Sequence, residues 1–285
     1  MKIVTLLDLL RRRVTLNKII NTLLAFVFII VWIFPVYWMC VTAFSPRNEV
    51  LQSKPTLLPS HWSFEHMHDA FSSDSMLSYA CNSLLVTVLS VVIAVIVAFL
   101  ACAALTMHAF AGRKLIMAAV IVVQMIPATA ILIPQFIVFN RFGMLDTYVG
   151  LVLAYVTAVL PVAIWNLRGF FLAMPMSIFE SACVEGASEW QILWRITFPL
   201  AAPGIIATSV FACIHAWNDY LIAYTFMKTQ EKYTLPVWLA SFATPSGVDV
   251  GAQMAASLIF SVPVIVFFLI IQHGLTFGSM QGAIK

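Results

Sequence analysis

The chain predicts an all-α, polytopic integral membrane protein with six transmembrane helices, and three observations lead there. Its 285 residues are 62% hydrophobic and only 9% charged, with a mean hydropathy of +0.99. A water-soluble domain of this size does not carry so few charges, so the bilayer is the solvent for most of the surface. Six apolar runs are each long enough for a hydrocarbon core of ~30 Å, which takes about 20 helical residues to cross. The basic residues also fall unevenly on the two sets of connecting loops.

The six runs are 19–43, 80–107, 115–138, 148–170, 200–227 and 250–274. Placing the N-terminus inside puts Lys2, Arg11, Arg12, Arg13, Lys18, Arg113, Lys114, Arg168, Arg195 and Lys285 on the cytoplasmic side. Arg47, Lys54, Arg141, Lys228 and Lys232 are left outside. The asymmetry follows the positive-inside rule, and six spans return the C-terminus to the cytoplasm. Residues 1–18 then form a cytoplasmic N-terminal segment and 19–285 the transmembrane domain. Ahead of Arg11–Arg13, the apolar set Ile3, Val4, Leu6, Leu7, Leu9 and Leu10 suits an amphipathic helix on the inner leaflet, or simply a basic tail. The first apolar run is too long for a secretory h-region and lacks a small-residue cleavage site, so no cleavable signal peptide is expected.

Several kinds of chemistry lack their motifs. There is no GxxxxGK[ST] phosphate loop: Gly112-Arg113-Lys114 lacks the preceding glycine. Neither HExxH nor GxSxG occurs, and the five cysteines (Cys40, Cys81, Cys102, Cys183, Cys213) form no CxxC pair, so they read as small buried hydrophobes. No catalytic residue and no metal site is expected. The basic residues outside Arg11–Arg13 are scattered, so no nucleic-acid footprint is expected either.

One interruption of the hydrophobicity stands out on the cytoplasmic side. It reads Glu180-Ser-Ala182-Cys-Val-Glu-Gly186-Ala187, then Gln191-Ile192, then Phe198-Pro199-Leu-Ala-Ala-Pro203-Gly204. Acids, a central glycine and large apolar residues such as Trp190, Ile192, Leu193, Ile196 and Phe198 together suit a short helix-turn-helix lying against a partner. Ser177 and Glu180 have capping-box spacing after Pro175, which predicts a helix start there. Glu180, Val184, Ala187 and Gln191 share one helical face that Gly186 interrupts, by a left-handed turn or by close backbone approach. Pro199 and Pro203 end the element and open the fifth span. The alternative is a surface amphipathic helix with no partner.

This spaced set resembles the coupling loop of ABC-transporter permeases, which carry Glu-Ala-Ala, three residues, Gly, about nine residues and a Leu-Pro-like pair. Ser181 replaces an alanine of that pattern, and Glu185 stands where aspartate is usual. The resemblance runs along nearly the whole chain. Pro55-Thr-Leu-Leu-Pro59 with Trp62-Ser-Phe-Glu65-His66 and Phe71 resembles the first external loop of sugar-type permeases. Met125-Ile-Pro127, Ile133-Pro134, Gly143-Met-Leu-Asp146-Thr147, Leu160-Pro161, Trp217-Asn218-Asp219-Tyr220-Leu221, Thr234-Leu235-Pro236-Val237 and the 274–285 tail follow in the family's order. The chain is thus similar to the six-span partner in the maltose-transporter permease family, with the type I ABC importer transmembrane fold.

The resemblance implies a permease subunit, not an enzyme, forming half of a pathway for a sugar or oligosaccharide in the bacterial inner membrane. The implied partners are a second, non-identical permease, two ATPase subunits, an extracytoplasmic solute-binding protein and membrane lipid. No cofactor belongs to this chain, since ATP and Mg would sit on the ATPase. Coupling falls to the 175–199 loop: Glu180 as the anchoring charge, Gly186 as the bend, Ala182 and Ala187 for tight packing, and Pro199 at the exit. The tail with Gly274, Gly278 and Gly282 is expected to reach toward the ATPase.

Trp217, Asn218 and Asp219 are candidates for the substrate path. A carboxylate within a span usually faces a cavity or a partner; Trp217 offers an aromatic platform and Asn218 a two-way amide. The plainer reading is a helix-packing hydrogen bond or an interfacial position. Gln124, Gln135 and Gln253 are further polar residues at span positions. His61, His66, His68 and Asp69 look like metal ligands, but they fall in a family loop without a metal role, so packing or docking of a binding protein is expected instead. Rival readings are the same class with a polyamine or glycerophosphodiester as cargo, a non-transporting scaffold, and an ion-gradient carrier. The last calls for internal repeats and several buried ionisable groups, neither of which is visible.

Overall fold

The structure, a computed structural model, describes residues 2–50, 52, 54, 56–72, 75–244 and 247–280; the side chains of 2–17, 244 and 272–280 are outside the description. The described helices are α1 (Lys2–Ala43), α2 (Glu65–Phe71), α3 (Met76–Met107), α4 (Arg113–Gln124), α5 (Ala128–Arg141), α6 (Tyr148–Leu172), α7 (Met176–Val184), α8 (Glu189–Trp217), α9 (Leu221–Phe226), α10 (Leu235–Ala240) and α11 (Val250–Met280). Single helical turns at Arg47–Val50 and Gln230–Lys232, and a two-residue ladder pairing Ala243–Thr244 with Gly247–Val248, complete the described elements. A lipid-facing backbone must satisfy its own polar groups, and helices do so within each segment.

Five helices are long and apolar enough to cross a membrane: 18–43 of α1, then α3, α6, α8 and 250–271 of α11. The sixth expected span, 115–138, is not one rod. It is α4 and α5, bent by 103° at Met125–Pro127, and the count reaches six when that pair is taken as one span. The cause is local: Pro127 is extended at φ −55°, ψ 134°, and a proline disfavours helical backbone in the residue before it. α1 runs without a break through 18/19, so helix geometry does not mark the expected boundary there. The basic and leucine-rich N-terminal segment is helical, and its side chains lie outside the described set. At the other end, 274–280 continue α11 and 281–285 lie outside the described residues, as does any reach of that tail.

The contacts divide the chain into two compact units. One holds residues up to Ser72 with Phe242–Ile259; the other holds Ser73–Ser241 and the residues from Phe260 on. In the first, Arg47 pairs with Asp69, and the Tyr37 hydroxyl donates to the Leu57 carbonyl. His66 is buried, with Gly251 against its ring.

The second unit is built on α3, α6 and α8, which pack against one another more extensively than any other helices. Small side chains make this possible: Ala94, Ala98, Cys102, Ala103, Ala154, Ala163, Ala201 and Ala212 are all buried in that core. Without a hydrophobic drive between helices in lipid, close approach and interhelical hydrogen bonds hold them. The Ser90 hydroxyl and Cys102 thiol of α3 donate to the Val152 and Ile164 carbonyls of α6 at 3.3 and 3.2 Å. Gly204 of α8 lies so close to Phe170 that an added Cβ would stand 2.5 Å from its ring.

Candidate functional site

The cytoplasmic elbow between α6 and α8 is built from two local signals. α7 begins at Met176 after the extended Pro175, with no side-chain cap. Ser177 therefore lies inside the helix, and the capping box expected from Ser177 and Glu180 does not form. α7 ends in a Schellman closure: Ala187 N–H donates to the Ala182 carbonyl and Gly186 N–H to that of Cys183, both at 3.0 Å. Gly186 takes φ +79°, so of its two expected roles it fills the left-handed turn. The single face expected through Glu180, Val184, Ala187 and Gln191 is broken there, because the chain reverses its helical sense at Gly186.

The chain restarts at Ser188, the true N-cap. The Gln191 N–H donates to the Ser188 hydroxyl at 3.3 Å, and the Ser188 N–H donates to the Gln191 side chain at 2.8 Å. The next turn, Ile192–Thr197, is π-helical, with the buried Thr197 hydroxyl donating to the Ile192 carbonyl at 3.1 Å. Isolated π turns tend to occur at functional sites. Span five thus begins at Glu189, eleven residues earlier than the expected 200. Pro199 is exposed just after the π turn, inside the continuous helix, where its missing N–H leaves a carbonyl of the preceding turn without its usual helical donor.

An aromatic chain ties the elbow to the bundle. Trp190 meets Trp194 (centroids 5.5 Å apart), Trp194 meets Phe198 (5.5 Å), and both Trp194 (5.7 Å) and Phe198 (5.6 Å) meet the buried Phe99 of α3, which touches Phe171 of α6 (5.6 Å). Ala182 is buried and Ala187 half-buried beneath α7. Other side chains point away: Val184 is 89% exposed and Trp190 65%. Glu180 is exposed, and among the described residues its carboxylate makes no ion pair or hydrogen bond. Met107, Phe171, Met176, Phe179, Glu180 and Trp190 are among the residues lining a cleft of about 1110 Å³ beside it.

On the opposite side, Asp146 organises a clamp that sequence reasoning did not assign. Its carboxylate accepts from the Lys228 and Thr229 backbone N–H groups (3.0 Å each), the Thr229 hydroxyl (2.6 Å) and the Lys232 ammonium (3.0 Å). Burial pushes this carboxyl up, but the hydrogen bonds from Thr229, Lys228 and Lys232 outweigh it and hold it well below the usual carboxylate range. Asn82 of α3 donates to the Glu231 and Tyr233 carbonyls at 2.8 and 3.0 Å and accepts from the Tyr148 hydroxyl at 2.8 Å. The Leu235 N–H donates to Ser83 at 2.7 Å. A polar residue early in an apolar run was the available signal for Asn82.

The expected substrate-path residues separate. Trp217 is 3% exposed, stacked on Phe260 at 5.7 Å, and its indole N–H donates to the Phe260 carbonyl at 3.3 Å. The role the structure shows for this ring is packing against Phe260. Asp219 caps α9, accepting from the Ile222 and Ala223 N–H groups at 3.0 and 3.3 Å. Asn218 is exposed, and its amide donates to the Ile214 carbonyl at 2.7 Å. Gln135 donates to Thr157 at 2.8 Å. Among the described residues, no three His, Cys, Asp or Glu side chains gather as a metal set.

Six apolar spans, an elbow that leaves apolar and acidic side chains uncovered on one side, and a polar clamp on the other describe a membrane transport subunit. The profile of the binding-protein-dependent transport system inner membrane component matches residues 90–276, and the chain belongs to that family. It is 36% identical over 96% of its length to the diacetylchitobiose uptake system permease protein DasC of Streptomyces coelicolor, covering 99% of that protein. To the trehalose transport system permease protein SugB of Mycobacterium tuberculosis it is 32% identical, covering 88% of this chain and 92% of that one. The fold matches that of a chain in the crystal structure of a bacterial ABC transporter involved in alginate import, with a TM-score of 0.79 at 23% identity, over 90% of this chain and 96% of that one. The protein is therefore a multi-pass permease of the bacterial inner membrane that works with a solute-binding protein.

Proposed function

We propose that this chain forms half of the translocation pathway of an ABC importer for a sugar or oligosaccharide, and that the 175–199 elbow receives the stroke of a separate ATPase. The carrying observation is the elbow itself. Val184 and Trp190 stand out from the turn, an unpartnered Glu180 lies one helical turn before Val184, and an aromatic chain leads from Trp190 into the core. Exposed Met176, Val184 and Trp190 on one elbow are the apolar side chains a partner would cover, and a stiff connection is what transmits a displacement. The disaccharide and oligosaccharide names of the relatives support the cargo class. ATP and Mg belong to the ATPase in this reading, and a second permease supplies the other half of the path. Asn218 offers its exposed amide to that path, Asp219 fixes the turn on which Asn218 stands, and Trp217 packs behind them.

The test is Glu180→Ala. Burying the partner's cation without its acid costs about 3–5 kcal/mol. The variant should insert normally, fail to retain the ATPase during purification in mild detergent, and lose uptake of the sugar. Full retention together with unchanged uptake would overturn the assignment of the elbow.

A further inference from the structure

A second cleft, of about 450 Å³, opens where the C-terminal end of α3, the start of α4 and the end of α6 meet. Arg113, Lys114 and Arg168 line its rim, and no Asp or Glu is among its lining residues. Among the described residues none of these three cations makes an ion pair. The Arg113 guanidinium reaches only the His108 carbonyl, at 3.4 Å, and that of Arg168 lies 5.8 Å from the centre of the Trp165 ring. Three unneutralised cations on one rim repel one another. Two of them stand in the first turn of α4, which has no acidic residue and no side-chain cap, so the helix dipole adds to the positive potential there.

Apart from Thr106, the rest of the lining is apolar. Met117 and Ile121 continue down α4, and Ile121 lies eight residues, ~12 Å of helical rise, beyond Arg113. Arg168 sits four residues before the end of α6, and the positive-inside assignment puts this end at the cytoplasmic surface. A basic rim at headgroup depth above an apolar wall, with a tryptophan at the boundary, fits a phospholipid better than a free ion. Basic pockets between transmembrane helices on the cytoplasmic side are a recognised form of lipid recognition. The geometry points to a binding site for an anionic phospholipid of the inner leaflet: Arg168 and Arg113 hold the phosphodiester, Lys114 adds charge at the rim, and an acyl chain lies along Met117 and Ile121.

The test uses the intact transporter, purified with its partner chains, delipidated, and placed in nanodiscs of phosphatidylcholine with increasing phosphatidylglycerol. Bound lipid is then read by native mass spectrometry. Wild type should favour phosphatidylglycerol over phosphatidylcholine by on the order of a hundredfold, about fivefold per cation. Arg113→Gln with Lys114→Gln and Arg168→Gln together should abolish the preference. The exposed Lys114→Gln alone should reduce it about fivefold, which keeps the test decisive if the triple variant folds poorly. Arg195→Gln, outside the cleft, should leave it intact. Equal retention of the two lipids by wild type, or full preference in the variants, would overturn the site. Displacement of the lipid by millimolar inorganic phosphate would overturn it too, by showing a free-anion site. A preference seen only after the partner permease is stripped away would show that a neighbouring subunit fills the cleft, with the same consequence.

Discussion

Gly186 holds a left-handed backbone with nothing within 4 Å of where a Cβ would stand. The cost of a side chain there is conformational, not steric. Gly186→Ala should destabilise the elbow by about 1 kcal/mol, and Gly186→Asn should recover part of that, because asparagine tolerates this conformation best. ATPase retention measured across Gly, Asn and Ala should fall in that order. Asp146 is the second decisive residue, itself at φ +57°. Its folded pKa is depressed, so its stabilising effect is complete above the ordinary carboxylate range, near pH 4, and is lost progressively as pH falls from there through the lower pKa of the folded state. Protection of the Lys228 and Thr229 amides, taken as the ratio of intrinsic to observed exchange rate, should be full at pH 6 and fall as pH drops below about 4. Asp146→Ala should cost about 2–3 kcal/mol and show low protection at both pH values. The glycine was legible because so few residues adopt its backbone. The clamp was not, because its partners lie more than eighty positions away. Trp217 is a related case: an indole beside Asn and Asp has the composition of a sugar site, and its packing on Phe260, forty-three positions away, is not written locally.

At the scale of the element, two serines fit the same capping signature. Ser177 precedes Glu180 by three residues, and Ser188 precedes Gln191 by three. Pro175 starts α7 two residues too early for Ser177 to cap it, whereas after the reversal at Gly186 Ser188 caps the new helix. Sequence spacing alone does not rank such rivals; the preceding backbone does. The bend in the third span, by contrast, was not expected from the apolar run 115–138, although Pro127 supplies the local reason for its 103° angle. The aromatic chain from Trp190 to Phe99 allows a sharper test. Phe99→Ala removes the ring that Trp194, Phe198 and Phe171 share, at a cost of about 3 kcal/mol or more. Lying inside the bundle, it should leave ATPase docking intact and lower sugar transported per ATP hydrolysed, measured in proteoliposomes.

For the whole molecule, the sequence carried the class well. Apolar run length and loop charge each report a physical constraint of the bilayer, and the six-span count stands with the bent pair taken as one span. The choice of α3, α6 and α8 as the core is written in small residues, but only as scattered alanines and glycines whose neighbours belong to other helices.

The π-helical turn at Ile192–Thr197 has one more consequence, which concerns phase. One added residue normally rotates everything beyond it by about 100° around the helix axis, turning a core face toward lipid. A π turn absorbs that residue in a wider loop, so the flanking stretches keep a common register. Span five therefore carries a spare residue at its cytoplasmic end. Deleting the exposed Arg195 should let the turn close to ordinary α-helix with Ala201, Gly204 and Ala212 still facing the core, and the variant should reach the membrane. The same deletion at Phe211 should misface every residue from there to Trp217. Comparing membrane yield of the two variants measures whether this span was built one residue long.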